Sequence, residues 1–523
     1  MSAVTTPVSL PSPMIHRICP IDLRALPPVP CATDEQIRAA VVSARAAQER
    51  WREVSFDDRV KALVRAAKSM LARRSEAMAI VRDEVGKLEV EAMFDEGIGH
   101  LDMLKQWIGV VKPAIRRRRV RMNPVSFPGK RAHIDQIPRG VIGVIAPWNF
   151  PIAGLYRAVY PALLCGNGVV VKPSEFSPLT TQWYVDALAA ELPAGLIATV
   201  QGDGTQGAAL IDAGIDACAF TGSPRSGVAV RRRCAELGIP SSIEMGGKDA
   251  AIVLADCDRE RTVAGITHWA LANVGQACGA VEIVLVEEHI ADDIVARLAS
   301  AWTRLKVGPA PYADISPLGN RRQLEIVADH VADAVAKGAT LVCGGKPTGI
   351  GLFYAPTILD HCTEDMKVVR DETFGPVLAI VRVDGAADAV RRVNRARYGL
   401  GASIWTRDLE RAEQLAGRLD VGVTSVNNHA FTGAVVALPW SGTRETGFGV
   451  ANSVHSLATF VRPKAFIVDG SSGPDAFWMP FDRTLWEMGD LLCDAQLMKL
   501  GRAWRLPLII RQRVRTIREF FRH

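Results

Sequence analysis

The sequence predicts an α/β protein with parallel sheets covered by helices on both faces. Three observations carry this. Apolar strand-like runs alternate with helical stretches from about residue 141 to 450. No internal repeat or low-complexity linker breaks the alternation. The 523 residues suffice for two or three domains with a large core.

The elements follow in order. The first thirty residues are Pro-rich, lack a basic-then-apolar signal pattern, and are expected to be extended. Residues 34–108 read as helices; "DEQIRAAVVSARAAQERW" has apolar residues at helical spacing behind a Thr33/Asp34 cap. After Arg119 the pattern turns strand-like, with turn signals at Pro128-Gly129 and Pro138-Arg139-Gly140.

The apolar stretch 141–171 is long enough to span a bilayer. Arg157, four glycines and three prolines interrupt it, so buried strand–helix–strand packing is the better reading. The runs "GNGVVVKPS", "ATVQGDG", "ACAFTGS" and "SSIEMGGKDAAIVLA" continue the strands. A second α/β run covers about 262–450, and "ATFVRPKAFIVD" (458–469) is one more strand.

Charge and cysteine content exclude several classes. Of the net +6, Met498–His523 carries eight Lys/Arg against Glu519 alone, so the rest is near −1. The body has no nucleic-acid signature, and "RRRR" (116–119) reads as a solvated strand or helix end. Ten cysteines without a CxxC pair argue against zinc and for reduced thiols in the cytoplasm. No metal is expected.

Six stretches carry candidate chemistry. In "PWNFP" (147–151) two prolines hold Asn149, whose amide suits a developing oxyanion. "VVVKPSE" puts Lys172 and Glu175 past a strand, where they suit ribose hydroxyls or are plain surface residues. "FTGSPRSG" (220–227) supplies a strand end, Ser223 as N-cap and Pro224 as first helical residue. That is an anion site suited to a pyrophosphate, although it is not GxGxxG. "EMGGKD" (244–249) sets Glu244 in a tight apolar turn, where a raised pKa suits a general base. "ETFGPV" (372–377) offers Glu372 and Phe374 beside a Gly-Pro turn, and "GQAC" (275–278) holds Cys278.

Taken in order, with Glu244 34 residues before Cys278 and Asn149 23 before Lys172, these motifs resemble the aldehyde dehydrogenase superfamily from about 31 to 470. The resemblance implies Cys278 as nucleophile, Glu244 as base, and Asn149 with the Cys278 N–H as oxyanion hole. It implies coenzyme contacts from Trp148, Lys172, Glu175, Gly222, Ser223, Gly227, Glu372 and Phe374. The expected coenzyme is NAD, with NADP the alternative, because a Glu175 carboxylate repels a 2′-phosphate.

The resemblance also implies a coenzyme-binding domain (31–119, 139–246), a catalytic domain (247–457) and a β oligomerisation arm (120–138, 458–470) of a homodimer or homotetramer. The expected reaction is oxidation of a small-molecule aldehyde to a carboxylic acid through a Cys278 thioester. A coenzyme-A-acylating dehydrogenase and a catalytically silent binding protein are the alternatives; dependence on coenzyme A and activity on aldehydes discriminate them.

Two features depart from the family pattern. Ile283, after Glu282, replaces the usual Arg five residues past the nucleophile, and "PWSGTRETG" (439–447) carries Trp440, Ser441 and Thr446 in a substituted motif. Ala277 and Gly279 are small, which suggests a roomy tunnel for a bulky or long aldehyde. The tail 474–523 lies outside the resemblance. There Ile510, Val514, Ile517 and Phe521 form one helical stripe beside Arg511, Arg513, Arg515, Arg518 and Arg522. That pattern fits an interfacial helix at the inner face of an anionic membrane, or a helix packed on the body or a neighbouring subunit.

Overall fold

The computed structural model describes residues 13–124, 127–310 and 312–522 and divides into two compact units. The first comprises residues up to 115 and 137–462; the second comprises 116–136 and 463–523.

In the first unit a short antiparallel pair, Met14–Ile15 with Val29–Pro30, precedes the helices Asp34–Trp51, Phe56–Ala72, Arg74–Val85 and Gly99–Ala114. Thr33 closes the first with a capping box against Gln36. A six-stranded sheet follows, in the order Gly447–Phe448, Ser241–Glu244, Ala217–Thr221, Val141–Ile145, Gly168–Lys172, Ile197–Thr199. All neighbours are parallel except the Gly447–Phe448 pairing, which is antiparallel. The apolar run 141–171 is a strand, a short 3-10 turn (Ala153–Arg157), the helix Val159–Leu164 and a second strand. Both strands are buried throughout, as a sheet covered on two faces requires.

Register aligns the carboxyl ends: Ile145 lies opposite Lys172 and Phe220, and Thr221 opposite Glu244. Strand order reverses around Val141–Ile145, whose neighbours lead to opposite edges of the sheet. Ligands bind at such a switch point, beyond the carboxyl ends.

A seven-stranded sheet runs Thr340–Cys343, Thr357–Asp360, Val377–Val383, Val281–Glu287, Asp249–Val253, Gly401–Trp405, Val423–Val426. Only its first pair is antiparallel. One apolar cluster, including Ile252, Val284, Leu285, Ile380 and Ile404, runs through it and its covering helices.

The second unit holds strands Arg118–Val120, Lys130–Pro138 and Val461–Asp469 in one sheet, with Lys130–Pro138 central. Helices Arg483–Gln496 and Leu506–Phe520 follow, packed through Ala476, Met488, Leu491 and Ile509. The tail helix exists, but its inward face is rotated from the expected stripe. Ile509, Arg513 and Ile517 are buried, whereas Phe521 is exposed. Arg513 is therefore not part of the solvated basic face. Its guanidinium donates to the carbonyls of Trp478 and Pro480 and pairs with Asp482 at 3.1 Å, which compensates its burial. No helix among the described residues is long and apolar enough to cross a membrane.

Candidate active site

The first sheet delivers four motif residues to one edge. Asn149 follows the strand ending at Ile145, Lys172 ends its own strand, Gly222 follows Thr221, and Glu244 ends the strand Ser241–Glu244. The Gly222 amide donates to the Glu244 carbonyl at 3.1 Å, so the phosphate-turn candidate and the base candidate are tied through backbone. Ser223 caps the helix Pro224–Glu236 by accepting from the Ser226 amide. Gly227 serves packing: a Cβ there would lie 2.6 Å from the Met245 sulfur.

Glycines let three loops converge. A Cβ on Gly246 would stand 2.1 Å from a Glu372 carboxylate oxygen, and one on Gly247 would stand 2.5 Å from the Cys278 carbonyl. The Gly247 amide donates to Glu372 at 3.1 Å. A Cβ on Gly275 would stand 2.2 Å from the Gly375 carbonyl. Glu244, Cys278 and Glu372 thus stand on loops that meet at the Gly246-Gly247 turn. Phe374 completes the rim, its ring 5.7 Å from Trp148 in an edge contact.

The loop that carries the candidate nucleophile is strained. Asn273 and Val274 have φ near +52° and +51°, followed by Gly275 at +74°. A β-branched residue in this region needs support from its surroundings. Asn273 supplies part of it: its Nδ2 donates to the carbonyls of Asn149 (2.9 Å) and Gln276 (3.0 Å). Asn149 Nδ2 donates to the same Gln276 carbonyl at 2.9 Å. The candidate oxyanion donor and the nucleophile loop therefore form one network.

Sequence reasoning missed four supporting groups. Glu91 accepts the Asn273 amide. Glu96 accepts the amides of Ile152 (3.0 Å) and Ala153 (2.8 Å), just past the Asn149 loop. Lys87 pairs with Asp95 and Glu96, both at 2.8 Å, and lies 4.0 Å over the Phe150 ring. Glu282, beside the position of the usual Arg, pairs with Lys248 and accepts the amides of Thr373 (2.8 Å) and Phe374 (2.9 Å). This buried pair holds the Glu372–Phe374 loop.

A fifth missed residue bears on the chemistry. Arg157 stacks 4.8 Å over the Trp440 ring and donates to the Gly433 carbonyl at 3.2 Å. It lines a cavity with Glu244, and no carboxylate among the described residues pairs with it within 4.0 Å. Its signal in the sequence was its position as the one charge interrupting an otherwise uncharged apolar run. Trp440 also fills the space beside Gly279, where a Cβ would meet its ring at 2.9 Å. The small residue after Cys278 accommodates this indole rather than leaving an open tunnel.

Electrostatics separate the two reacting candidates. Burial pushes the Glu244 carboxyl up to about 7, against the pull of Arg157 and the Ala451 amide. Burial pushes the Cys278 thiol up to about 12; Arg157 opposes this, while Glu244, Glu372 and Asp249 add to it. A thiol-lowering cation, Arg157, is present, but burial outweighs it. Burial also raises Glu372 to about 8, helped by the like charge of Glu282. Most of the other cysteines are buried; Cys343 is part-buried and Cys493 exposed.

The site fits a dinucleotide. Lys172 is buried, with one long 3.5 Å bond to the Gly202 carbonyl and Glu175 at 3.9 Å, leaving ammonium donors to spare. The exposed N-terminal turn of Pro224–Glu236 offers amides to a phosphate. With Glu244 on this strand edge and Cys278 close enough to feel its charge, the fold and site define a dinucleotide-dependent enzyme with a cysteine beside the coenzyme groups.

The comparisons narrow the class. The model of the aldehyde dehydrogenase family matches residues 9–466. The chain is 36% identical over 475 residues to 4,4'-diapolycopene aldehyde oxidase of Methylomonas sp, covering 90% of this chain and 89% of that one. The fold superposes on a Mycobacterium tuberculosis aldehyde dehydrogenase complexed with NAD+ with TM-score 0.83 and 30% identity, covering 90% and 97% of the chains. A Bacillus halodurans NADP-dependent glyceraldehyde-3-phosphate dehydrogenase complexed with NADP gives TM-score 0.82 at 31% identity, covering 88% and 96%. The chain belongs to the aldehyde dehydrogenase family, and its reaction is the NAD(P)-dependent oxidation of an aldehyde.

Proposed function

We propose that Cys278 is the nucleophile and Glu244 the base of a hydrolytic aldehyde dehydrogenase. The convergence of Glu244, Cys278 and Glu372 on the Gly246-Gly247 turn carries the reading. The Cys278 thiol gives its proton to solvent, Sγ bonds to the aldehyde carbon, and the carbonyl electrons move onto oxygen. Asn149 Nδ2, released from Gln276, and the Cys278 amide donate to that oxyanion; loss of one such donor costs about 10²–10³ in rate. Bound NAD or NADP serves as the oxidant of this carbon. The acyl group then rests on Cys278 as a thioester. Glu244 takes a proton from water, the hydroxide adds, and the C–S bond breaks to release the carboxylic acid and the Cys278 thiolate.

Lys172 and Glu175 hold the adenosine ribose in this reading, and Gly222 and Ser223 the pyrophosphate. Glu372, Phe374 and Trp148 hold the nicotinamide half. Glu175 at the ribose favours NAD over NADP. The coenzyme-binding domain is 31–119 with 139–246, and the catalytic domain is 247–457. Cytoplasmic localisation rests on the free cysteines. We propose a homodimer or homotetramer formed through the arm strands, because Val461–Asp469 stands at the edge of its sheet among the described residues.

The test is Cys278→Ala. It abolishes NAD-dependent aldehyde oxidation and keeps coenzyme binding, while wild-type product formation needs no coenzyme A. Near-normal turnover of the variant, or dependence on coenzyme A, overturns the reading.

A further inference from the structure

The second unit has an unusual surface. Residues 116–136 and 463–523 hold seventeen Lys and Arg against eight Asp and Glu, a net charge of +9. The rest of the chain is left with about −3. The charge is ordered along the last helix. At 100° per residue, the buried side chains Ile509, Arg513 and Ile517 define one face of Leu506–Phe520. Arg511, Arg515, Arg518 and Arg522 recur at steps of four, three and four and centre roughly 170° away from it. All four are exposed. Glu519 pairs with Arg515 at 2.7 Å; Arg511, Arg518 and Arg522 have no acidic partner within 4.0 Å among the described residues.

Exposed large apolar side chains recur through the same tail, and Leu508, Ile510 and Phe521 flank the arginine row on this helix and at its end. Trp478, Trp486 and Trp504 are 57%, 71% and 69% exposed, and every exposed tryptophan among the described residues is one of these three. Phe481 is exposed too. Soluble surfaces rarely collect aromatic and aliphatic groups this densely without a partner.

We propose that helix Leu506–Phe520 docks on an anionic lipid bilayer, with Arg511, Arg515, Arg518 and Arg522 on the headgroup phosphates and the exposed Leu508, Ile510 and Phe521 side chains in the headgroup–acyl boundary. Charge selects this occupant over a second copy of the chain: apposing two such faces sets arginine rows against each other. The exposed aliphatic groups favour lipid over nucleic acid, where they gain nothing. Helix Leu506–Phe520 then lies in the membrane plane, which matches its length and mixed polarity. The inference stands apart from the proposed chemistry, since none of these residues is in the active site.

The test uses the full-length protein and sedimentation with vesicles of phosphatidylcholine, with or without 30 mol% phosphatidylglycerol. The protein sediments with the anionic vesicles at low salt, is released at high salt, and ignores the neutral ones. A variant carrying Arg511→Gln, Arg518→Gln and Arg522→Gln loses about 100-fold in partition coefficient. Leu508→Ser with Phe521→Ser weakens binding at unchanged charge. Oxidation of a short water-soluble aldehyde is unaffected by either set, which shows folded enzyme. Equal sedimentation of wild type and triple variant, capture by neutral vesicles alone, or no capture overturns the proposal. A triple variant that instead changes oligomeric mass assigns the face to a second copy and also overturns it. A single-stranded DNA that binds tightly while anionic vesicles do not overturns it in favour of nucleic acid. Loss of aldehyde oxidation in wild type with intact vesicle binding refutes only the chemistry.

Discussion

Glu244→Gln should make the protein more stable at pH 8 and nearly inactive. Burial moves the Glu244 carboxyl from its ordinary 4.5 to about 7. The folded protein therefore keeps a proton that the unfolded chain gives up between pH 4.5 and 7. Stability falls as pH rises through that window, and the cost is complete above 7. Each tenfold in proton affinity is worth about 1.36 kcal/mol, so ionised Glu244 costs the fold about 1–3 kcal/mol after residual solvent screening. Glutamine carries no charge to bury. Chemical denaturation should show the variant more stable by about that amount at pH 8, with the curves converging near pH 5. Turnover moves the other way. Wild-type deacylation should fall tenfold per pH unit below 7, whereas the variant loses about 10²–10⁴ in deacylation and shows a fast burst of NADH before a slow steady state. Identical denaturation midpoints at pH 8, or wild-type turnover flat from pH 5.5 to 7.5, would refute the assignment of a buried, titrating base.

Two further outcomes follow from the same electrostatics. Arg157→Gln removes the cation that opposes the burial of Cys278, so alkylation of coenzyme-free protein by iodoacetamide at pH 8 should slow about tenfold or more; an unchanged rate would place Arg157 outside the thiol's field. Glu175→Gln removes the carboxylate beside Lys172, so the ratio of kcat/KM for NADP over NAD should rise about tenfold; a ratio that stays fixed assigns the coenzyme preference elsewhere.

The motifs at strand ends were legible because each follows a local rule. An apolar run stops, and a Gly, Lys or Glu stands where the chain turns; the Ser223 cap before Pro224 reads the same way. The groups that hold those motifs were not legible. Glu91 reaches Asn273 across 182 residues, and Glu282 reaches Phe374 across 92, distances over which spacing carries no signal. Gly279 misled for the same reason, since Trp440, which fills the space beside it, is remote in sequence. In the tail the helical period was correct and the phase was not. Arg513 went inward because the Trp478 and Pro480 carbonyls need its donors, a demand that hydrophobic periodicity does not register.

Trapping the covalent intermediate tests the central claim most directly. Glu244→Gln protein is mixed with NAD and an aldehyde, quenched in acid during the burst, digested and analysed by mass spectrometry. The account predicts the acyl mass on the peptide containing Cys278 and on no other cysteine peptide, with none in the Cys278→Ala background. A burst of NADH with Cys278 unmodified, or the acyl group on Cys343 or Cys493, would contradict it.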